Sequence, residues 1–226
     1  MVISWSSGKD SAWTLHKLRQ SDEYQVTALL TTVTRVFDRV AIHGVRQDLL
    51  VAQADSARLP LWVVPLPWPC SNEQYEVAMG NACTRALKEG VEIIAFGDLF
   101  LEDVRRYREE KMRQAGLAPI FPLWKYDTKA LVQDMWQAGV RTCIVCVDTK
   151  QMPPYFAGRD LDPQLVAEFP PGVDPCGENG EFHTFVYAGP MFSKSIPIKL
   201  GNSESRDGFE YTDVLLREHG EGPLPG

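Results

Sequence analysis

The chain has 226 residues, 44% of them hydrophobic and 23% charged, with a formal net charge of −7. That length holds one large domain or two small ones, and the acidic balance argues against a dedicated nucleic-acid binder, which usually carries a basic face. No apolar run approaches the about 20 residues that span a bilayer, five cysteines do not suggest a disulfide framework, and a motif beginning at Ser6 leaves no room for a cleaved leader, so the expected location is cytoplasmic.

Residues 1–5 form a short apolar run that predicts a buried strand. The run breaks into Ser6-Ser7-Gly8-Lys9-Asp10-Ser11, and a helical pattern follows with Trp13, Leu15 and Leu18 as its apolar positions. Strand, tight loop and helix start make an anion site, because the first N–H groups of a helix have no partner within it and its dipole is positive there. Lys9 adds a positive charge and Ser6, Ser7 and Ser11 add hydroxyl donors, so the expected guest is a phosphate chain. The spacing is not that of a Walker loop, which needs four residues between its first Gly and Gly-Lys-Ser/Thr. The stretch resembles instead the S-G-G-K-D-S PP-loop of the ATP pyrophosphatases. Ser7 stands where that motif has its first glycine, and a positive φ at this position would strain a serine. A surface loop with a helix cap is the plainer alternative.

Residues 24–33, rich in β-branched side chains, predict a second buried strand. Ligands of open α/β sheets lie outside the carboxyl ends of the strands, which makes Thr31 and Thr32 candidates for contact with an adenine base. Residues 35–40 read as a mobile loop near the nucleotide. Residues 43–58 carry a helical pattern through Val45, Leu49, Ala52 and Ala57, residues 61–66 a third strand, and residues 72–89 a long helix closed by Gly90. A fourth strand over 92–96 runs directly into Gly97-Asp98, where a carboxylate can sit beside a phosphate-bound Mg²⁺ and where a simple turn is the alternative. Residues 102–115 form a charged helix in which most of the arginines face water, while one or two can turn toward phosphate. Residues 119–124 read as a fifth strand. Alternating strands and helices predict parallel strands with right-handed crossovers.

The rhythm changes after Trp124. Residues 127–138 predict a helix, and residues 141–148 a strand holding Cys143 and Cys146. Simple alternation puts these two cysteines on opposite faces, and buried strand cysteines are favoured over a metal or redox pair. A proline-rich stretch over 152–175 holds a helical piece at 163–169. Next comes Cys176-Gly177-Glu178-Asn179-Gly180-Glu181-Phe182-His183-Thr184, opening a strand over 182–187. Gly177 and Gly180 free the backbone for close approach. Glu178 and Glu181 can hold Mg²⁺, bind ammonium or take its proton, and Asn179 both donates and accepts. His183 is adjacent, with a structural role as its plain reading. Weak strands follow at 196–200 and 209–214, and the Gly/Pro-rich tail 220–226 reads as disordered.

Three stretches in order, the loop 6–11, Gly97-Asp98 with the following Asp103, Arg106, Arg108 and Glu110, and the block 177–184, resemble the diphthine–ammonia ligase family. The similarity runs to about Phe192 and includes the short members labelled adenine nucleotide alpha hydrolase-like. It implies an α/β fold with a HUP-type five-stranded parallel sheet of order 3-2-1-4-5 flanked by helices over residues 1–124. A smaller α+β acceptor-binding domain over 125–219 covers the nucleotide. It implies ATP and Mg²⁺, adenylation of a carboxylate acceptor, and amidation by ammonia with release of AMP and pyrophosphate. In the family's best-understood members the acceptor is diphthine, a modified histidine on translation elongation factor 2. On this resemblance Lys9, Asp10, Glu178 and Glu181 are catalytic. Ser6, Ser7, Gly8, Lys9, Asp10, Ser11, Thr31, Thr32, Gly97, Asp98, Arg106 and Arg108 bind nucleotide, with Asp98 on the metal. Gly177, Glu178, Asn179, Gly180, Glu181, His183 and Thr184 bind substrate. The implied partners are ATP, ammonia and an acceptor carried on a protein; a homodimer is compatible with the sequence, and no membrane or nucleic-acid partner is expected. Three rivals stay open: an ATP α–β hydrolase, a tRNA-modifying PP-loop enzyme and a nucleotide sensor of the universal-stress type. The acidic charge disfavours the second, and the third leaves the block 177–184 without a role.

Overall fold

The computed structural model describes residues 1–34, 39–40 and 44–217. At its centre is β1 (Val2–Ser4), whose apolar residues are buried as a central parallel strand requires. It pairs in parallel with β2 (Ala28–Thr34) on one side and with β5 (Ile93–Ala95) on the other. Outside these lie β4 (Leu61–Leu66) against β2 and β6 (Ala118–Ile120) against β5, both parallel. The parallel order β4-β2-β1-β5-β6 is the 3-2-1-4-5 arrangement that the resemblance implies. A two-residue strand β3 (Arg39–Val40) joins antiparallel at the end of β2. The expected loop over 35–40 otherwise lies outside the described residues, as do His43 and the tail 220–226.

One face of this sheet packs Ile3, Leu29 and Val33 against α1 (Lys9–Arg19) and α2 (Gln47–Ala57). The other packs Val2, Leu30 and Ile94 against α3 (Asn72–Lys88) and α4 (Glu102–Ala115). Helix α3 opens with a full capping box between Ser71 and Gln74. Helix α2 starts later than its apolar pattern suggests, so that Val45 is buried from the preceding loop. Strand β6 ends at Ile120 because residues 121–124 turn back, and the Lys125 N–H donates to the Leu99 carbonyl at 2.7 Å.

The second sheet is antiparallel, in the order β8-β7-β10-β9. It is built from β7 (Arg141–Asp148), β8 (Phe182–Ala188), β9 (Ile198–Arg206) and β10 (Phe209–Leu216), with α5 (Thr128–Gln137) and α6 (Pro163–Ala167) beside it. Strands β9 and β10 meet at Asp207-Gly208, whose φ values of 54° and 84° are those of a type I′ hairpin turn. A register shift between Ile144 and Cys146 overturns one expectation. The bulge cancels the alternation, so Cys143 and Cys146 both join the main core instead of facing apart, and both are buried. That core spans both sheets: Trp5, Leu15 and Leu49 belong to the same cluster as Phe185, Val186 and Ile196.

Candidate active site

The last rung of β1 is the Trp5 N–H donating to the Leu30 carbonyl at 2.7 Å; the chain then turns into the loop. Ser7 is fully buried at φ 71°, so the position does demand a left-handed backbone, and serine carries strain that glycine would avoid. Its Oγ is buried without a hydrogen-bond partner. Gly8 precedes α1 with no side-chain cap. Its N–H donates to Ser6 Oγ at 3.3 Å, and Ser11 Oγ donates to the Gly8 carbonyl at 3.0 Å. At Gly97 the backbone passes so close to the helix start that a Cβ would lie 2.9 Å from the Asp10 carbonyl carbon. Strand β2 runs past the end of β1, which places Thr31 and Thr32 beside the loop. Thr31 Oγ1 is buried without a partner.

The block 177–184 folds directly onto this loop. The Lys9 N–H donates to Thr184 Oγ1 at 3.1 Å, and the Val186 N–H donates to the Ser7 carbonyl at 3.0 Å. Gly177 and Gly180 take φ values of 68° and 83°, and a Cβ on Gly177 would sit 2.8 Å from the Phe182 carbonyl. The Lys9 ammonium is 2% exposed. It donates to both Asp10 carboxylate oxygens, at 3.0 and 2.8 Å, and to the Cys176 carbonyl. Burial works against its charge, but the surrounding groups, Asp10 foremost with Cys176 and Glu178, together hold the lysine pKa above its usual value.

Glu178 accepts the Leu99 N–H at 2.8 Å. Its pKa is raised to about 7: burial pushes it up, helped by Asp10 and Asp98, and the Leu99 hydrogen bond and the Lys9 charge offset only part of this. Asp98 forms an ion pair with Arg108 at 2.8 Å, and that guanidinium lies 4.4 Å from the Phe96 ring centre. The pKa of His183 on β8 falls to about 4 through burial and the nearby Lys9 charge, so its imidazole is neutral. Glu181 is 2% exposed and turned into its own loop. It accepts from the N–H of Asp174 at 2.9 Å, the N–H of Asn179 at 2.9 Å and Asn179 Nδ2 at 3.0 Å.

The fold thus gathers the loop 6–11, Gly97-Asp98 with Arg108, Glu178, His183 and Thr184 at one place. Arg106 is exposed on α4. Burial pushes the thiols of Cys143 and Cys146 up to about 12, which makes them poor nucleophiles and ligands. Among the described residues no cluster of three or more His, Cys, Asp or Glu is set to hold a metal. Sequence reading missed the Leu99 amide, the Cys176 carbonyl and Gln53. The first two are backbone groups with no sequence signal. Gln53 had one: it is a polar residue within the apolar stripe of Leu49, Leu50, Ala54 and Ala57, and a buried amide needs partners.

A 3-2-1-4-5 parallel sheet with a Ser/Gly-rich loop after its first strand and Gly-Asp after its fourth defines a nucleotide-binding protein of the PP-loop class. The chain belongs to the diphthine–ammonia ligase family, matching the diphthamide synthase N-terminal domain over residues 1–119 and the diphthamide synthase C-terminal domain over residues 127–215. It is 33% identical over 132 residues to diphthine–ammonia ligase of Bos taurus, covering 54% of this chain and 48% of the relative. It is 33% identical over 115 residues to the Homo sapiens protein of that name, covering 48% and 43%, and 27% identical over 138 residues to that of Schizosaccharomyces pombe, covering 59% and 21%. The chain spans about half the length, or less, of these curated relatives.

Proposed function

We propose that the chain is an ATP-dependent ligase that adenylates a carboxylate acceptor of the diphthine kind and amidates it with ammonia, releasing AMP and pyrophosphate. One observation carries this reading: Glu178, a carboxyl with a pKa near 7, is fastened by the Leu99 amide beside Lys9, Asp10 and Asp98. A module that only senses nucleotide needs the loop but no such base. A proton acceptor poised near neutrality is what deprotonation of ammonium calls for.

A carboxylate does not condense with ammonia unassisted. Attack of an acceptor oxygen on the α-phosphorus of ATP forms a mixed anhydride and releases pyrophosphate. Ammonia then attacks the acyl carbon, AMP leaves, and an amide remains. Lys9 and the loop N–H groups stabilise the charge gathering on the departing pyrophosphate. The start of α1, where Gly8 supplies no capping side chain, fits a phosphate group. Asp10 and Asp98 are hard oxygen donors that fit Mg²⁺, which keeps most of its waters and needs only one or two carboxylates; when bound, it supplies charge neutralisation at the phosphates. Glu178 takes the proton that ammonium loses. Neutral His183 contributes no charge, and Glu181 holds the turn that presents Glu178.

In this reading residues 1–124 bind the nucleotide and residues 125–219 present the acceptor, and the protein works in the cytoplasm. Among the described residues no helix is long and apolar enough to cross a membrane. The test supplies ATP, Mg²⁺, ¹⁵N-ammonium and elongation factor 2 carrying diphthine. The expected result is ¹⁵N in the amide on that side chain, with AMP formed in step. Consumption of ATP to AMP with the acceptor unchanged would identify a hydrolase instead.

A further inference from the structure

Gln53 belongs to neither the loop nor the block 177–184, yet it touches both. It lies in α2, and it, Trp5, Ser7 and Val186 are each no more than 2% exposed. Its Oε1 accepts from Trp5 Nε1 at 2.8 Å. Its Nε2 donates to the Ser7 carbonyl at 3.0 Å and to the Val186 carbonyl at 2.7 Å. The Val186 N–H donates to the same Ser7 carbonyl at 3.0 Å. A leucine here would continue the apolar stripe, whereas an amide in the core is tolerated only when its hydrogen bonds are met.

The bonds fall on the most strained peptide of the loop. Ser7 sits at φ 71°, and conformations of that kind persist where the surroundings over-determine them. A peptide unit is planar and trans, so fixing a carbonyl also fixes the N–H on its far side. Two donors on the Ser7 carbonyl therefore aim the Gly8 N–H to the opposite side of the peptide, toward Ser6 Oγ. Through Val186 the same amide grips β8, two residues beyond the Thr184 that receives the Lys9 N–H.

The geometry points to Gln53 as a positioning residue that aims the Gly8 N–H of the phosphate loop and ties that loop to β8, so that phosphate binding and placement of the Glu178–Thr184 block are coupled. This rests on the ATP reading above and adds a residue to it. The test uses α,β-methylene-ATP, which cannot be cut between its α and β phosphates, and compares dissociation constants and melting temperatures of the full chain and its variants.

Gln53→Met keeps the volume and removes the donors; the expected loss of affinity is about tenfold. Adding Ser7→Gly is expected to bring affinity back to within about threefold of the parent without restoring the melting temperature, because glycine holds the positive φ unaided. Unchanged affinity in Gln53→Met, or a double variant as weak as the single one, overturns the proposal. Should Gln53→Met fail to fold, hydrogen exchange on the unaltered chain decides. Binding of the analogue is expected to slow exchange over residues 6–11 and 184–188 together, and slowing over 6–11 alone overturns the coupling. An unaltered chain that binds no analogue overturns the ATP reading itself, and this inference with it.

Discussion

The backbone N–H of Lys9 and Oγ1 of Thr184 meet at 3.1 Å across 175 residues of chain, both buried. This contact holds the start of α1 against β8, so the loop 6–11 and the glycine-rich block are one structure. Thr184→Val leaves the Lys9 N–H without its acceptor at nearly unchanged shape. The expected cost is about 1–3 kcal/mol of stability and a rise of about tenfold in the KM for ATP. Calorimetric melting with and without ATP checks both, and an unchanged shift by ATP would count against the contact's role.

Glu178→Gln separates stability from activity. The folded pKa of about 7 lies above the ordinary 4.5, so the unfolded chain releases this proton first, and stability falls as pH rises between those values. Glutamine never ionises and still accepts the Leu99 N–H. The variant should be more stable than the parent at pH 8, on the order of 2 kcal/mol, with the gap closing toward pH 4. Adenylation should persist while amide formation is lost. Thermal melts at the two pH values, with pyrophosphate–ATP exchange alongside amide yield, measure each part.

The pH profile of the unaltered chain follows from the same carboxyl. Amide formation should rise as pH passes about 7, where Glu178 ionises, while pyrophosphate–ATP exchange measured without ammonium, which reads adenylation alone, stays flat. His183, with its pKa near 4, cannot produce an inflection there. A profile in which both steps climb together would move the essential base elsewhere.

Two glycines should respond in opposite directions. Gly97→Ala places a Cβ 2.9 Å from the Asp10 carbonyl carbon and 3.0 Å from its oxygen, which forces β5 away from the loop. About 1–3 kcal/mol of stability and much of the ATP affinity should go. Gly80 lies exposed within α3, with nothing within 4 Å of a new Cβ. Gly80→Ala should stabilise by about 0.5–1 kcal/mol with ATP binding untouched. Urea titration of both variants gives the comparison.

Thiol accessibility provides a test of the core. Cys83, Cys143, Cys146 and Cys176 are buried and Cys70 is half-buried. Mild alkylation of the native chain at pH 8 should modify Cys70 first and leave Cys143 and Cys146 intact until unfolding. Rapid labelling of the C-x-x-C pair would show that β7 is not packed as described.

The parallel half was readable because its strands are apolar on both faces and its helices show clear periodicity; β4 and α4 fall where the pattern puts them. The strand–loop–helix start was readable because an apolar run breaks into small polar residues just before a helical pattern. What escaped was three-dimensional. The bulge at Cys146 depends on pairing with β8, and strand β9 is mostly exposed and polar, so its apolar signal ends long before Arg206. Glu178 and Glu181 look alike in sequence, and only the backbone turn assigns one to Leu99 near Lys9 and the other to its own loop.

The most direct test is the identity of the nucleotide products. The chain is incubated with ATP, Mg²⁺, ammonium and a diphthine-bearing acceptor, and AMP with pyrophosphate is resolved from ADP with phosphate, Lys9→Ala serving as control. The account predicts AMP and pyrophosphate in step with amide, both lost in the variant. ADP and phosphate from the unaltered chain would contradict it.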